Sequence, residues 1–341
     1  MVTAKNPAKA LMGSFKGLGL TAAQVRHFVP TWWDDDAAID EGGLLELQIV
    51  LARRLNVTLD GLKAATPKPE FRSATHRFKT VHPEGSTQLA VAAGVGHGLA
   101  NVLATACQVN PLQGLLPAAD IRARILAKYS AVTLEGLCQW LWEHGVPVVH
   151  IINWPKQLRR PDAMCVRVGT RPVVLVVRKE IAPARLAYLV AHETGHIMCG
   201  HLEVGNNTVL VDDTLPVDDQ GFARDEDERI ADGYAMAVLG GDALRTACKA
   251  VGSQHEETKL AASALKASKN NGLDAGQVIL GWARETKDWK LAGMAMRYLM
   301  TTQAAPIVVN DVAKRYLDVD ALSSDGLDHL NRLTGIQFHD E

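Results

Sequence analysis

Two histidines and a glutamate stand in a spacing that a metal hydrolase can use: His192-Glu193-Thr194-Gly195-His196. Residues four apart on a helix project from one face about a turn from each other, so His192 and His196 can converge on a single zinc ion. Glu193 lies beside them as the general base that takes a proton from water. A tetrahedral catalytic site needs a third protein ligand. The metzincin arrangement does not supply one, because its third histidine would fall on Leu202 and its glycine on Cys199. The alternative is a glutamate on a following helix. Of Glu203, Glu226 and Glu228, only Glu228 opens a Glu-x-x-x-Asp pattern, in phase with an apolar stripe of Ala231, Ala235, Val238 and Leu239. Glu228 is the expected third ligand. Asp232, one turn on, is expected to accept the second N–H of a ligating histidine and fix its tautomer.

Other side chains near the motif have less defined roles. His201, Tyr188 and Tyr234 are candidates for the donor that steadies a transition state. His201 follows the helix stop at Gly200 and reads as an exposed loop residue rather than a ligand. Cys199 reads as a small helix residue of the core, or as a thiol that caps the metal in a resting state.

These residues resemble the ImmA/IrrE family of zinc metallopeptidases, whose first helix reads like R-x-x-F-x-x-A-H-E-x-G-H. Here Arg185, Tyr188, Ala191, His192, Glu193, Gly195 and His196 stand at those positions. The family's second helix, similar to E-x-x-A-N-x-F-A, is matched by Glu228, Ala231, Asp232, Tyr234 and Ala235. Two positions depart from it: Thr194 replaces the usual leucine, and Val238-Leu-Gly replaces Leu-Met-Pro at the end of the second helix. The resemblance covers about residues 118–245. It implies a zincin-like core of helices plus a small sheet, with Zn2+ held by His192, His196 and Glu228. It further implies a gluzincin-like metalloendopeptidase of narrow specificity that cleaves a cytoplasmic transcriptional repressor, often in a stress response. The alternative is a non-catalytic regulator that binds DNA or a repressor and holds a structural zinc ion.

The elements that must position the motif can be read around it. Pro183 opens the motif helix where a missing N–H costs nothing, and Gly200 ends it. Before it, Ala118–Ser130 and Leu134–His144 look helical, Val146–Ile152 is an apolar strand, and Cys165–Val168 with Pro172–Val177 reads as a hairpin. Strand Pro172–Val177 is the candidate for binding substrate by strand addition. The fold class expected is α+β, with helical N- and C-terminal domains flanking the core. The segments expected are a helical domain at 1–66, a linker and buried helix at 67–117, the metallopeptidase core at 118–245 and a helical regulatory or recognition domain at 246–341. The linker proper is 67–83, with prolines at both ends. The acid-rich stretch 203–227 reads as a solvated loop. The last segment reads as helices around Glu256–Lys269, Ala275–Thr286, Lys290–Thr301, Asn310–Leu317 and Ser324–Leu333, with breaks at Asn271-Gly272, Asp288 and Pro306.

The N-terminal text Val50–Leu62 is similar to the close of a repressor-type helix-turn-helix. Where a DNA-reading helix needs basic and amide side chains, however, the chain has Pro30-Thr-Trp-Trp-Asp-Asp-Asp36. A structural or partner-binding role is favoured over DNA binding. The 36 Lys+Arg against 38 Asp+Glu exclude a polybasic coat for nucleic acid or anionic membrane. The five cysteines form no CxxC pair, which fits a reducing compartment, and no leader is legible, so a cytoplasmic location is expected. Between Glu84 and Asp120 no residue carries a formal charge. That stretch is interrupted by Gln88, His97 and Asn101 and spaced at three- and four-residue steps, as in a buried helix rather than a membrane span. Its Gly94, Gly96 and Gly98 lack the spacing of a phosphate loop.

Overall fold

A computed structural model describes residues 6–72, 75–79, 86–202, 208–212, 226–269, 271–299 and 303–338. The N-terminal part is helical: α1 Pro7–Ser14, α2 Ala22–Arg26, α3 Glu41–Arg54 and α4 Leu59–Lys63. Local chemistry sets these starts. Asn6 accepts a hydrogen bond from the Ala8 amide, Thr21 and Gln24 form a reciprocal capping box, and Asp40 accepts from the Gly42 and Gly43 amides. The acidic stretch after Trp33 is a short 3-10 helix, Asp35–Ile39, capped by Asp34. Trp33 is buried, whereas Trp32 is half exposed.

The described strands are β1 Thr75–Lys79, β2 Val148–His150, β3 Ala163–Val168, β4 Arg171–Val176 and β5 Thr208–Asp212, in the order β1-β5-β3-β4-β2. The sheet is mixed. β3 and β4 form the expected antiparallel hairpin, turning at Gly169 with φ 58°, while β2 runs parallel to β4 and β1 parallel to β5. With the helices around it, the chain is an α+β protein. Three expectations change here. β4 is flanked on both sides by β3 and β2, so its backbone is already paired and it is not free to add a substrate strand. The stretch 67–83 is not only linker, because β1 lies in it. The acid-rich stretch 203–227 holds β5, whose Val209, Leu210 and Val211 are buried; its residues 203–207 and 213–225 lie outside the described residues.

Nearly every residue of β3 and β4 is buried, as in a sheet covered on both faces. The uncharged helix α5, Ser86–Ala106, packs on β3, β4 and β5. By length and composition it could cross a bilayer, but 72% of its apolar window is buried inside the fold. Its glycines serve close packing. A Cβ at Gly96 would stand 3.0 Å from Met164, and at Gly98 it would stand 2.4 Å from the Arg54 carbonyl oxygen. A side chain at Gly98 would push α5 off the end of α3, whereas one at Gly96 would displace the tip of the Met164 side chain.

After α6 Ala118–Leu126 and α7 Leu134–Glu143 comes the motif helix α8, Pro183–Met198, which packs on β3 and β4, followed by α9 Glu226–Leu239 against α8. Helices α10 Gly241–Val251, α11 Glu257–Ser268, α12 Ala275–Thr286 and α13 Trp289–Met296 build a second core around Leu244, Leu260, Val278 and Trp282. Its link to α8 is direct, since the buried Gln277 Nε2 donates to the Ala184 carbonyl at 2.6 Å. The last helices, α14 Ala305–Tyr316 and α15 Ser324–Thr334, return to the main core through Val309, Val312, Leu330 and Leu333. Residues 246–341 thus feed two cores rather than one. Pro306, expected as a break, stands in the first turn of α14, where its missing N–H leaves no helical bond unmade.

Candidate metal centre

Helix α8 is buried along almost its whole length, from Ala184 to Met198. His192, Glu193 and His196 are fully buried within it. Such burial of polar groups is sustained only where partners meet them. Helix α9 brings one. Its buried Ala231, Ala235, Val238 and Leu239 make a smooth face against α8, and Gly195 lets the helices approach. A Cβ on Gly195 would meet the Ala231 carbonyl oxygen at 2.8 Å and Ala231 Cα at 3.0 Å. The small residues of both motifs therefore set the distance over which Glu228 must reach.

Glu228 does reach. His192 Nε2 and His196 Nε2 are 3.1 Å apart, and the Glu228 carboxylate oxygens lie 3.3 Å from the first and 3.4 Å from the second. Two ligand atoms each about 2.0–2.1 Å from a tetrahedral ion lie about 3.3–3.4 Å apart, so each contact has roughly the spacing of a ligand pair, with His192 facing Oε2 and His196 facing Oε1 of the one carboxylate. Two imidazoles and a carboxylate form a donor set that suits zinc and related divalent ions. The group can hold a metal ion, and it is the one cluster of its kind among the described residues. Burial opposes ionisation of Glu228, but hydrogen bonds from His192 and His196, and their positive charge when protonated, outweigh it and hold the carboxyl well below the usual range.

The far nitrogens of both rings are also engaged. His192 Nδ1 donates to Asp232 Oδ1 at 2.9 Å, and Tyr188 Oη donates to the same oxygen. The Tyr188 ring in turn lies 4.2 Å below the Arg284 guanidinium of α12. His196 Nδ1 is 2.8 Å from His201 Nδ1, and His201 Nε2 is 3.7 Å from Asp227 Oδ1. One tautomer set satisfies all of this. With protons on Nδ1 of His192 and His196 and on Nε2 of His201, both ligand Nε2 atoms keep their lone pairs free for a metal.

The structure therefore brings together His192, His196, Glu228 and Asp232 as their spacing predicts. His201 corrects the sequence reading: it is buried, not an exposed loop residue, because Gly200 with φ 76° folds the chain back and the His201 amide donates to the His196 carbonyl at 3.0 Å. Its signal in the sequence is a histidine directly after a C-terminal glycine, five residues from the ligand it touches. Asp227 was missed because Glu226-Asp227-Glu228 offers no pattern that separates one acid from the next. Tyr188 binds Asp232, while Tyr234 turns away from the cluster and donates to the Leu116 carbonyl at 2.5 Å. Cys199 caps the end of α8, is partly buried and lies outside the ligand cluster; burial pushes its thiol pKa up.

Comparison of the chain with protein-family models, with curated proteins and with solved structures finds no match in any of the three.

Proposed function

We propose that this chain is a zinc-dependent endopeptidase of narrow specificity, similar to the ImmA/IrrE metallopeptidases and built on a zincin-like core, and that its substrate is a cytoplasmic regulatory protein such as a transcriptional repressor. The observation that carries the reading is the convergence of His192 Nε2, His196 Nε2 and the Glu228 carboxylate within 3.1–3.4 Å of one another, with Glu193 buried on the same helix turn.

Zinc in this group supplies Lewis acidity, lowering the pKa of water and polarising a scissile carbonyl. The chain's own residues do the rest. Asp232 and His201 fix the tautomers of the two ligand rings and would hold their Nε2 atoms toward a bound ion. Glu193 takes a proton from water at its carboxylate and hands it to the leaving amine nitrogen. Tyr188, donating to Asp232, steadies the first of these contacts. The N-terminal helices serve as a structural or partner-binding unit.

The test is incubation with candidate transcriptional repressors, with and without a chelator, followed by mapping of new termini. The proposal expects metal-dependent cleavage at one or a few bonds, abolished by Glu193→Gln. Cleavage that survives that substitution refutes it. Stoichiometric metal with no cleavage of any candidate, together with retardation of DNA that survives loss of the metal ligands, favours the non-catalytic regulator.

A further inference from the structure

Away from the metal cluster, a cavity of about 290 Å3 lies where three distant parts of the chain meet: the end of α3, the middle of α5 and the start of α15. Its buried side carries Arg54, Asn56 and His329, and its exposed rim carries Arg53, Arg72 and Asn101. The charges are not equivalent. Arg54 is spent on the fold, because its guanidinium binds Asp325 and Asp328 of α15 and the Phe28 carbonyl. That engagement also accounts for Asp325, the carboxylate on the cavity wall. Arg53 and Arg72 form no ion pair among the described residues; Arg72 spends only Nε, on the Val57 carbonyl. The cavity therefore faces two guanidiniums whose forks are uncommitted, and the forked guanidinium matches phosphate oxygens in geometry and charge.

A second observation points to a ligand. His329 is 2% exposed, lines the cavity, and its Nε2 is buried without a hydrogen-bond partner among the described residues. A buried polar atom left this way is costly unless something meets it. Burial and the neighbouring Arg54 keep that ring neutral, so it offers a hydrogen bond and no charge. The walls also include the apolar Val102 and Leu322. The volume is near the lower end for small-molecule sites.

We propose that this cavity binds a small organic phosphate, its phosphate group held by Arg53 and Arg72 and its uncharged body lying against Val102 and Leu322, and that occupancy fastens α3, α5 and α15 together. This site is independent of the metal cluster and of the peptidase reading. A ligand that binds only the folded chain raises its melting temperature with concentration.

The test is calorimetric titration of the full chain with adenosine monophosphate, a hexose phosphate and inorganic phosphate, with melting curves alongside. At least one organic phosphate is expected to bind saturably, to raise the melting temperature and to bind about tenfold or more tightly than inorganic phosphate. Arg53→Ala and Arg72→Ala, both at exposed positions, are each expected to weaken it about tenfold or more. Glu193→Gln is expected to bind it as the unaltered chain does. The proposal is overturned if neither organic phosphate binds at millimolar concentration, if inorganic phosphate binds as tightly, if both arginine variants bind unchanged, or if duplex DNA alone occupies these arginines.

Discussion

A methyl group on Gly195 would stand 2.8 Å from the carbonyl oxygen of Ala231, one helix away. This contact is backbone against backbone, so neither side can turn aside. Gly195→Ala is expected to push α9 off α8 and carry Glu228 with it. The expected cost is about 1–3 kcal/mol of stability, with metal affinity falling about tenfold or more. Denaturant unfolding and a competitive metal titration check both. Unchanged metal affinity in the variant would mean that the spacing of α8 and α9 does not place the third ligand.

The groups behind the two ligand histidines give a second prediction. Asp232→Ala removes the acceptor at His192 Nδ1, and His201→Ala removes the partner at His196 Nδ1. Each is expected to weaken metal binding about 10–100-fold while the fold persists. Tyr234→Phe serves as the contrast. Its hydroxyl bonds the Leu116 carbonyl, so the variant is expected to lose about 1 kcal/mol of stability and leave metal affinity unchanged. Equal effects from all three variants, read by chelator competition, would contradict the assignment.

Acid stability follows from two histidines outside the metal cluster. Burial pushes His150 down to about 4, and burial with the nearby Arg54 pushes His329 down to about 3, from an ordinary value of 6.5. Their folded forms bind protons less readily than their unfolded forms, so the stability they contribute is complete above pH 6.5. It is lost as the pH falls from there toward 4 and 3. At about 1.4 kcal/mol for each unit of depression, the loss is on the order of several kcal/mol. Unfolding midpoints should hold level from about pH 7.5 to about pH 6.5 and then fall toward about pH 4, and His329→Gln should flatten that fall. A flat profile over that range would contradict the burial of both rings as neutral groups.

Arg54 ties the first part of the chain to the last. Its side chain is 2% exposed and lies 2.8 Å from Asp328. Arg54→Met leaves Asp325 and Asp328 without their cation in a largely buried setting, which is expected to cost about 3–5 kcal/mol. Denaturant titration reads the loss, and a change within error would show that the two ends do not depend on this ion pair.

The legible part of the candidate site was the part whose geometry is local. His192 and His196 share a helix face by spacing alone, and Glu228 could be picked from its neighbours because Ala231, Ala235 and Val238 repeat in phase with it. The start of α8 at Pro183 and the hairpin about Gly169 follow from single-residue backbone preferences in the same way. What was not legible depends on contacts distant in sequence. β1 pairs with β5 across 133 residues, Thr75 against Thr208, and neither segment has an apolar alternation strong enough to mark a strand beside its charges. The place of β4 inside the sheet depends on β2, which is only Val148–His150. His201 required knowing that the turn at Gly200 doubles back, and the ion pairing of α15 with α3 runs through Arg54, 271 and 274 residues away from its partners. The spacing of the α5 glycines gives no reason for them in the sequence; their neighbours, the carbonyl of Arg54 and the side chain of Met164, lie on other elements.

Whether His192, His196 and Glu228 hold a zinc ion is read most directly from the metal content of the purified chain, by elemental analysis, beside that of His192→Ala, Glu228→Gln and Glu193→Gln. About one zinc per chain is expected in the unaltered protein and in Glu193→Gln, and little in the two ligand variants. A chain that carries no zinc and takes up none from an excess, or a Glu228→Gln variant that holds zinc as tightly as the original, would contradict it.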